Sequence, residues 1–341
     1  MTTTEGGDAG GFRLTVLNPG GRDPEQGFSL GAPRPVKGAH APVNFHAYAA
    51  CTRGVFHRDV KRAIAEGLPV LLLLRGDFKE TQRALTALKK HQLPVVVSLK
   101  ETGLHQIAKQ LADPKRAERF REITSAADGC LAATPEALSF YPRGQFIPTP
   151  YPLEDPAWDF SQPAAERQGV FVGTREWDVP SRHHLAALTL ALRLGEPVTT
   201  FDETPKRSRK LLKELGLPAT SLRILERRLP YRDYLAEMAQ HKIVLQADKS
   251  SVPGQVAGDA LLCRIPCVGG DGAIEWLAFP DLCGHERSLG ELETLAKRLL
   301  SDENSYSAAI TQSQERAGEL VGFAVVARQL EQFFKELASP A

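Results

Sequence analysis

Short apolar runs rich in β-branched residues alternate with amphipathic stretches along most of the chain. Residues 12–17, 69–74, 94–99, 129–133 and 145–147 are apolar without a two-residue period, the pattern of strands buried on both faces of a parallel sheet. Between them, residues 56–66, 78–91, 104–127 (interrupted at Pro114) and 135–141 place apolar positions at helical spacing. Pro69 and Pro94 open two of the strands, where a missing N–H does least harm. Residues 148–168 hold five prolines and no sustained period, and read as a linker. The alternation then restarts, with strands predicted at 169–173, 197–201, 222–226, 242–246 and 266–269. Helices are predicted at 182–194, 205–215, 231–240 and 255–263. From 289 to 337 the period is helical throughout, with breaks expected near 302–306 and 321–322.

This is an α/β chain with two Rossmann-like doubly wound domains facing a cleft and C-terminal helices packing back. The expected divisions are a tail at 1–11, a first domain at 12–150, a linker at 151–168, a second domain at 169–320 and a final helix at 321–341. The 341 residues supply about two domain quotas.

Charge narrows the classes of partner. The 42 Lys and Arg against 41 Asp and Glu leave a net charge of +1, without the basic excess of a protein that neutralises many phosphates, so no nucleic-acid partner is expected. The basic run 206–210 reads as a solvated helix face, with weak contact to an anionic membrane surface as the alternative. The longest purely apolar run, 70–74, is far short of a membrane span. Residues 1–11 lack the basic start and apolar core of a signal peptide. The five cysteines are odd in number and dispersed, as in a reducing compartment, and Cys263 with Cys267 lacks a second pair of zinc ligands. The expectation is a cytoplasmic protein, with peripheral membrane contact as the alternative, that needs no metal and no cofactor.

The densest chemistry lies in 242–275, KIVLQADKSSVPGQVAGDALLCRIPCVGGDGAIE. A buried strand ends near Asp248, and Pro253-Gly254 opens a helix of small residues whose free N–H groups and positive dipole end suit a phosphate. A second strand runs into Gly269-Gly270-Asp271-Gly272, which lets backbone approach a ligand closely. The same glycines would serve to shape tight turns in any doubly wound fold; their adjacency on neighbouring strands favours a ligand site.

This segment resembles the nucleotide-binding half of retaining GT-B glycosyltransferases, the glycogen-synthase-like and sucrose-synthase-like group with a family 4-like C-terminal domain. Its signature is a Glu, a glycine loop, a second Glu eight positions on, a small-residue helix and a Gly-Gly loop. Gly254, with Gln255 after it, falls on the first loop, Asp259 on the second acid, Pro266 on the proline before the strand and Gly269-Gly270 on the second loop. The resemblance implies that Asp259 accepts from the ribose hydroxyls. Ser251 stands where the family has its first Glu, with Asp248 and Ser250 close by but out of frame. Either one of these three supplies the catalytic contact, or the sugar is handled in another way, or the protein binds without turnover.

The strand ending at Gly173, followed by Arg175 and Arg182, resembles the family's clamp on the donor diphosphate, a task that suits arginine forks. The stretch 229–231, including Tyr231, is similar to the part that lines the base pocket. In the first domain, Gly20 and Gly21 occupy the place of the family's first glycine loop, Lys100 and Glu101 are acceptor-side candidates at a strand's carboxyl end, and His46, read at a strand's end, faces the donor sugar or is structural. The resemblance therefore implies transfer of a sugar, with retention, from a UDP- or GDP-linked donor to a glycan, lipid-linked, protein or small-molecule acceptor. The alternatives are a nucleotide-sugar epimerase on the same fold and a non-catalytic GT-B-like binding subunit. Oligomeric state is not legible in the sequence.

Overall fold

The computed structural model describes residues 11–36, 40–173, 177, 179–202, 205–214, 216 and 222–338. The first half consists of β1 (Thr15–Leu17), β2 (Gln26–Gly27), α1 (Phe45–Cys51), β3 (Val55–His57), α2 (Val60–Glu66), β4 (Val70–Leu74), α3 (Lys79–Lys90), β5 (Val95–Leu99), α4 (Leu104–Leu111), α5 (Pro114–Ala126), β6 (Gly129–Ala132) and β7 (Gly144–Phe146). Its seven strands order as β2-β3-β1-β4-β5-β6-β7, with only β2 antiparallel to its neighbour. β4 and β5 pair in parallel over five residues each, and all ten positions are buried, which explains why VLLLL and VVVSL show no alternation. Each such fully buried Leu or Val contributes about 1.5–3 kcal/mol over an exposed one.

The second half runs β8 (Val170–Val172), α6 (His184–Arg193), β9 (Val198–Phe201), α7 (Pro205–Glu214), β10 (Leu222–Leu225), α8 (Tyr231–Met238), β11 (Ile243–Leu245), α9 (Gln255–Leu262), β12 (Cys267–Val268) and α10 (Ala273–Ala278). Its five strands are all parallel and ordered β10-β9-β8-β11-β12. The order reverses between β8 and β11, so a crevice opens outside their carboxyl ends. Three helices follow: α11 (Leu289–Ser301), α12 (Glu303–Leu320) and α13 (Phe323–Ala338). Val326, Leu330, Phe333 and Phe334 of α13 join the core formed by Leu14, Phe45 and Tyr48, so the last helix does pack back on the first sheet. The two crossings between halves lie side by side, because Tyr151 N–H donates to Val321 O at 2.8 Å. Among the described residues no helix is long and apolar enough to cross a membrane.

Three predicted elements change. Residues 56–66 are a strand, β3, followed by α2, whose start is set by the Asp59 carboxylate accepting from Lys61 and Arg62 N–H at 2.7 and 3.2 Å. Residues 45–51 form a helix, so His46 lies inside α1 and not at a strand's end. Residues 136–140 make a tight 3₁₀ turn in place of an α-helix. The predicted tail falls, apart from Gly11, outside the described residues.

Candidate functional site

The crevice at the β8/β11 reversal gathers most of the donor-side residues that the sequence singles out. Gly173 directly follows β8, and a Cβ there would overlap Val256 of α9, so glycine is what lets α9 approach the strand end. α9 begins at Gly254, which is left-handed (φ 90°), and no side chain caps the helix start. Its first N–H groups and dipole are directed outside the sheet's carboxyl edge.

On the loop that leads to this helix start, Asp248 Oδ2 accepts from Arg182 Nη1, with only 4% and 16% of the two side chains exposed. Asp248 Oδ1 also accepts from Ser250 N–H at 2.8 Å, which bends the chain after β11. Ser181 and Ser250 hydroxyls lie 2.9 Å apart, and Lys249 N–H donates to Ser181 O at 2.8 Å. These bonds fasten the loop before α6 to the loop before α9. Ser251 has φ 45° and donates its N–H to Asp271 Oδ1 at 3.1 Å. The loop that carries Asp248, Ser251, Gly254 and Gln255 is thus tied to Arg182 through Asp248. Arg175, the other expected clamp, lies outside the described residues.

Asp259 has a different setting. It is 1% exposed, Tyr231 Oη donates to its Oδ1, and Tyr234 and Gln255 side chains also donate to it. Burial pushes its carboxyl up to about 8, against those hydrogen bonds. A Cβ on Gly258 would overlap the Tyr151 ring, so the linker tyrosine closes the same side of α9. Here the carboxylate expected to meet ribose is enclosed by the Tyr231 and Tyr234 hydroxyls and the Gln255 amide.

Across the crevice, Gly20 is left-handed (φ 68°) and its carbonyl accepts from Arg75, while a Cβ on Gly21 would overlap the Asn18 amide. Lys100 pairs with Asp23 at 3.2 Å, and Asn18 Nδ2 donates to Asp23 at 2.7 Å. Burial raises the Asp23 carboxyl, but Lys100 and Asn18 outweigh it and hold it below the ordinary range. Glu101 is exposed beside Lys100. His46 is corrected to a core residue. It is 3% exposed, stacks on Phe56 at 3.7 Å, and donates from Nε2 to Pro24 O at 2.9 Å. Burial first, and His40 as well, lower it to about 4, so the ring is neutral and committed.

The two halves touch at this site. Leu104 N–H donates to Ser250 O at 3.3 Å, and Asn44 Nδ2 donates to Gln255 Oε1 at 3.3 Å. Sequence reasoning did not single out Asn44, Gln246 or Glu275. The signal for Glu275 was the crowd of glycines before it, each of which needs something large to avoid. A separate cavity of about 550 Å³, lined by Gln168, Pro197, Val198, Leu222 and Arg223, opens at the opposite, amino-terminal edge of the second sheet. Open α/β sheets bind ligands at the carboxyl edge, so the candidate site is the crevice.

No protein-family model matches the chain, and no curated protein matches it by sequence. Solved structures do. Anabaena HepE in complex with UDP and glucose superposes with a TM-score of 0.60 at 14% identity, over 95% of this chain and 100% of that one. Sucrose-phosphate synthase from Thermosynechococcus elongatus gives 0.64 at 13% identity, over 96% and 100%. A UDP-forming α,α-trehalose-phosphate synthase from Burkholderia xenovorans gives 0.60 at 13%, over 86% and 78%. The fold is that of the GT-B glycosyltransferases, two Rossmann-like halves across a cleft.

Proposed function

We propose that the chain is a glycosyltransferase that transfers a sugar, with retention, from a UDP- or GDP-linked donor held by the second domain to an acceptor held by the first. The carrying observation is the uncapped start of α9 at Gly254, on the loop after β11 whose Asp248 pairs with Arg182. A helix start and an arginine fork together meet the charge of a diphosphate, and they stabilise it as it departs. An arginine's planar fork suits bidentate contact with phosphate. Arg175 is the second clamp in this reading. Two of the fold's neighbours, the HepE structures, contain UDP with glucose and UDP-glucose, which supports a uridine donor.

Gly173 and Tyr231 border the nucleoside, and Asp259 meets the ribose once Tyr231 moves aside. Asp248 or Ser251 contacts the sugar, and Gly20, Gly21, Lys100 and Glu101 face the acceptor. The test is release of nucleoside diphosphate from a panel of UDP- and GDP-sugars. Release from one donor, reduced at least tenfold in Arg182→Ala, supports the reading, and no release from any donor contradicts it.

One second reading has its own observation. Ser251 replaces the family's Glu with its N–H tied to Asp271, and His46 is committed to Pro24, so two expected catalytic positions are filled by groups holding the fold. A nucleotide-diphosphate-binding subunit without turnover would bind UDP and release none from UDP-sugars.

A further inference from the structure

We propose that Glu275 is the positioning residue of the diphosphate site: it joins the Gly254 turn to the 269–272 loop and keeps the start of α9 open to phosphate. The inference rests on the donor-site reading above. Glu275 lies in the first turn of α10 and is 1% exposed. Cβ atoms built on Gly254 and Gly272 would overlap its Oε2, and one on Gly270 would fall 3.0 Å from Oε1. Three glycines from two loops therefore converge on a single carboxyl. Gln246, at the end of β11, donates to Oε1 at 2.7 Å, while Oε2 is buried with no hydrogen-bond partner among the described residues. Around it the loops are tied by backbone: Ala273 N–H donates to Val252 O at 2.9 Å and Ile274 N–H to Pro253 O at 3.2 Å.

An ionised carboxylate there would put a negative charge at the helix start that the donor's phosphate needs, while a neutral one leaves the dipole uncompensated. The surroundings favour the neutral form. Burial pushes the carboxyl up to about 8, and Asp248 after β11 and Asp271 in the loop add like charge; its own backbone N–H and Gln246 work the other way. The other titratable groups facing it are Cys267 of β12 and Tyr151 of the linker. Arg182 is engaged with Asp248. Donor affinity should therefore fall on the alkaline side as this one proton is lost.

The experiment is calorimetric titration of UDP into the full chain between pH 7 and 9, where the nucleotide's own phosphate is already ionised. Wild type should weaken about tenfold by pH 9, in proportion to the protonated fraction. Glu275→Gln, neutral at every pH, should match wild type at pH 7 and stay within about threefold of it to pH 9. Asp259→Asn, which removes the other carboxyl raised to about 8, should keep the alkaline loss. Parallel weakening of wild type and Glu275→Gln, or loss of the pH effect in Asp259→Asn instead, overturns the role given to Glu275 and leaves the donor site standing. No UDP binding by wild type at pH 7 overturns both. If Glu275→Gln does not fold, infrared difference spectra of Asp259→Asn decide: a protonated-carboxyl stretch present at pH 7 and gone by pH 9 supports the proposal, and its absence at pH 7 refutes it.

Discussion

Arg182 and Asp248, 66 positions apart in sequence, meet as a largely buried ion pair between the loops that lead into α6 and α9. Removing the arginine leaves the Asp248 carboxylate buried without its counter-ion, which costs about 3–5 kcal/mol. Arg182→Ala should lower unfolding stability by roughly 3 kcal/mol, and the double variant Arg182→Ala with Asp248→Ala should lose less than the sum of the two singles. A urea double-mutant cycle checks this; additive losses would mean the pair contributes nothing.

Gly254 combines a left-handed backbone with a side of the turn occupied by Glu275. Gly254→Ala should destabilise by about 2 kcal/mol or more, since strain and overlap act together. UDP affinity should fall with it, because the helix start moves. Chemical denaturation and nucleotide titration read the two effects, and a fully stable Gly254→Ala would refute the packing.

His46 and His184 give an acid-side signature. Burial lowers them to about 4 and about 3, below the ordinary 6.5. The folded pKa values are depressed, so the unfolded chain takes up protons first. The stability these neutral rings contribute is present above pH 6.5 and is lost as pH falls toward 4, on the order of 3 kcal/mol for His46. Urea midpoints of wild type and His46→Gln, compared from pH 7 to 4.5, should converge as pH falls. A constant gap would contradict the neutral ring.

Tyr231→Phe removes the hydroxyl donated to the buried Asp259 carboxyl. The loss of a donor from a buried acceptor costs about 1–3 kcal/mol. Thermal unfolding should show it, and Asp259→Asn should reverse part of it above pH 8. That sign follows because a carboxyl raised to about 8 loses stability as pH rises from its unfolded value toward 8. No change in Tyr231→Phe would mean the tyrosine cage is not holding Asp259.

The parallel sheets were legible because VLLLL, VVVSL and VFV are buried on both faces and so carry no polar alternation. The glycine turns at Gly254 and Gly269-Gly270 were legible as backbone punctuation. α1 was not: in FHAYAAC six of seven residues are buried, which leaves no polar face to mark a helical period. β3 was hidden because VFH runs directly into a helix, and β2 spans only two residues. At the site, spacing located Arg182, Asp248 and Gly254 separately. The environments of Glu275 and Asp259 depend on Gln246, Tyr231 and Tyr151, brought in by the fold from 28 or more positions away, and local pattern carries no trace of that.

The claim that the second domain holds a nucleoside diphosphate is tested most directly by calorimetric titration of UDP and GDP into the intact chain at pH 7, repeated with Arg182→Ala. One site should saturate with at least one of the two nucleotides and weaken tenfold or more in the variant, about 1.4 kcal/mol or greater. No binding heat with either nucleotide, or equal affinity in wild type and Arg182→Ala, would contradict the account.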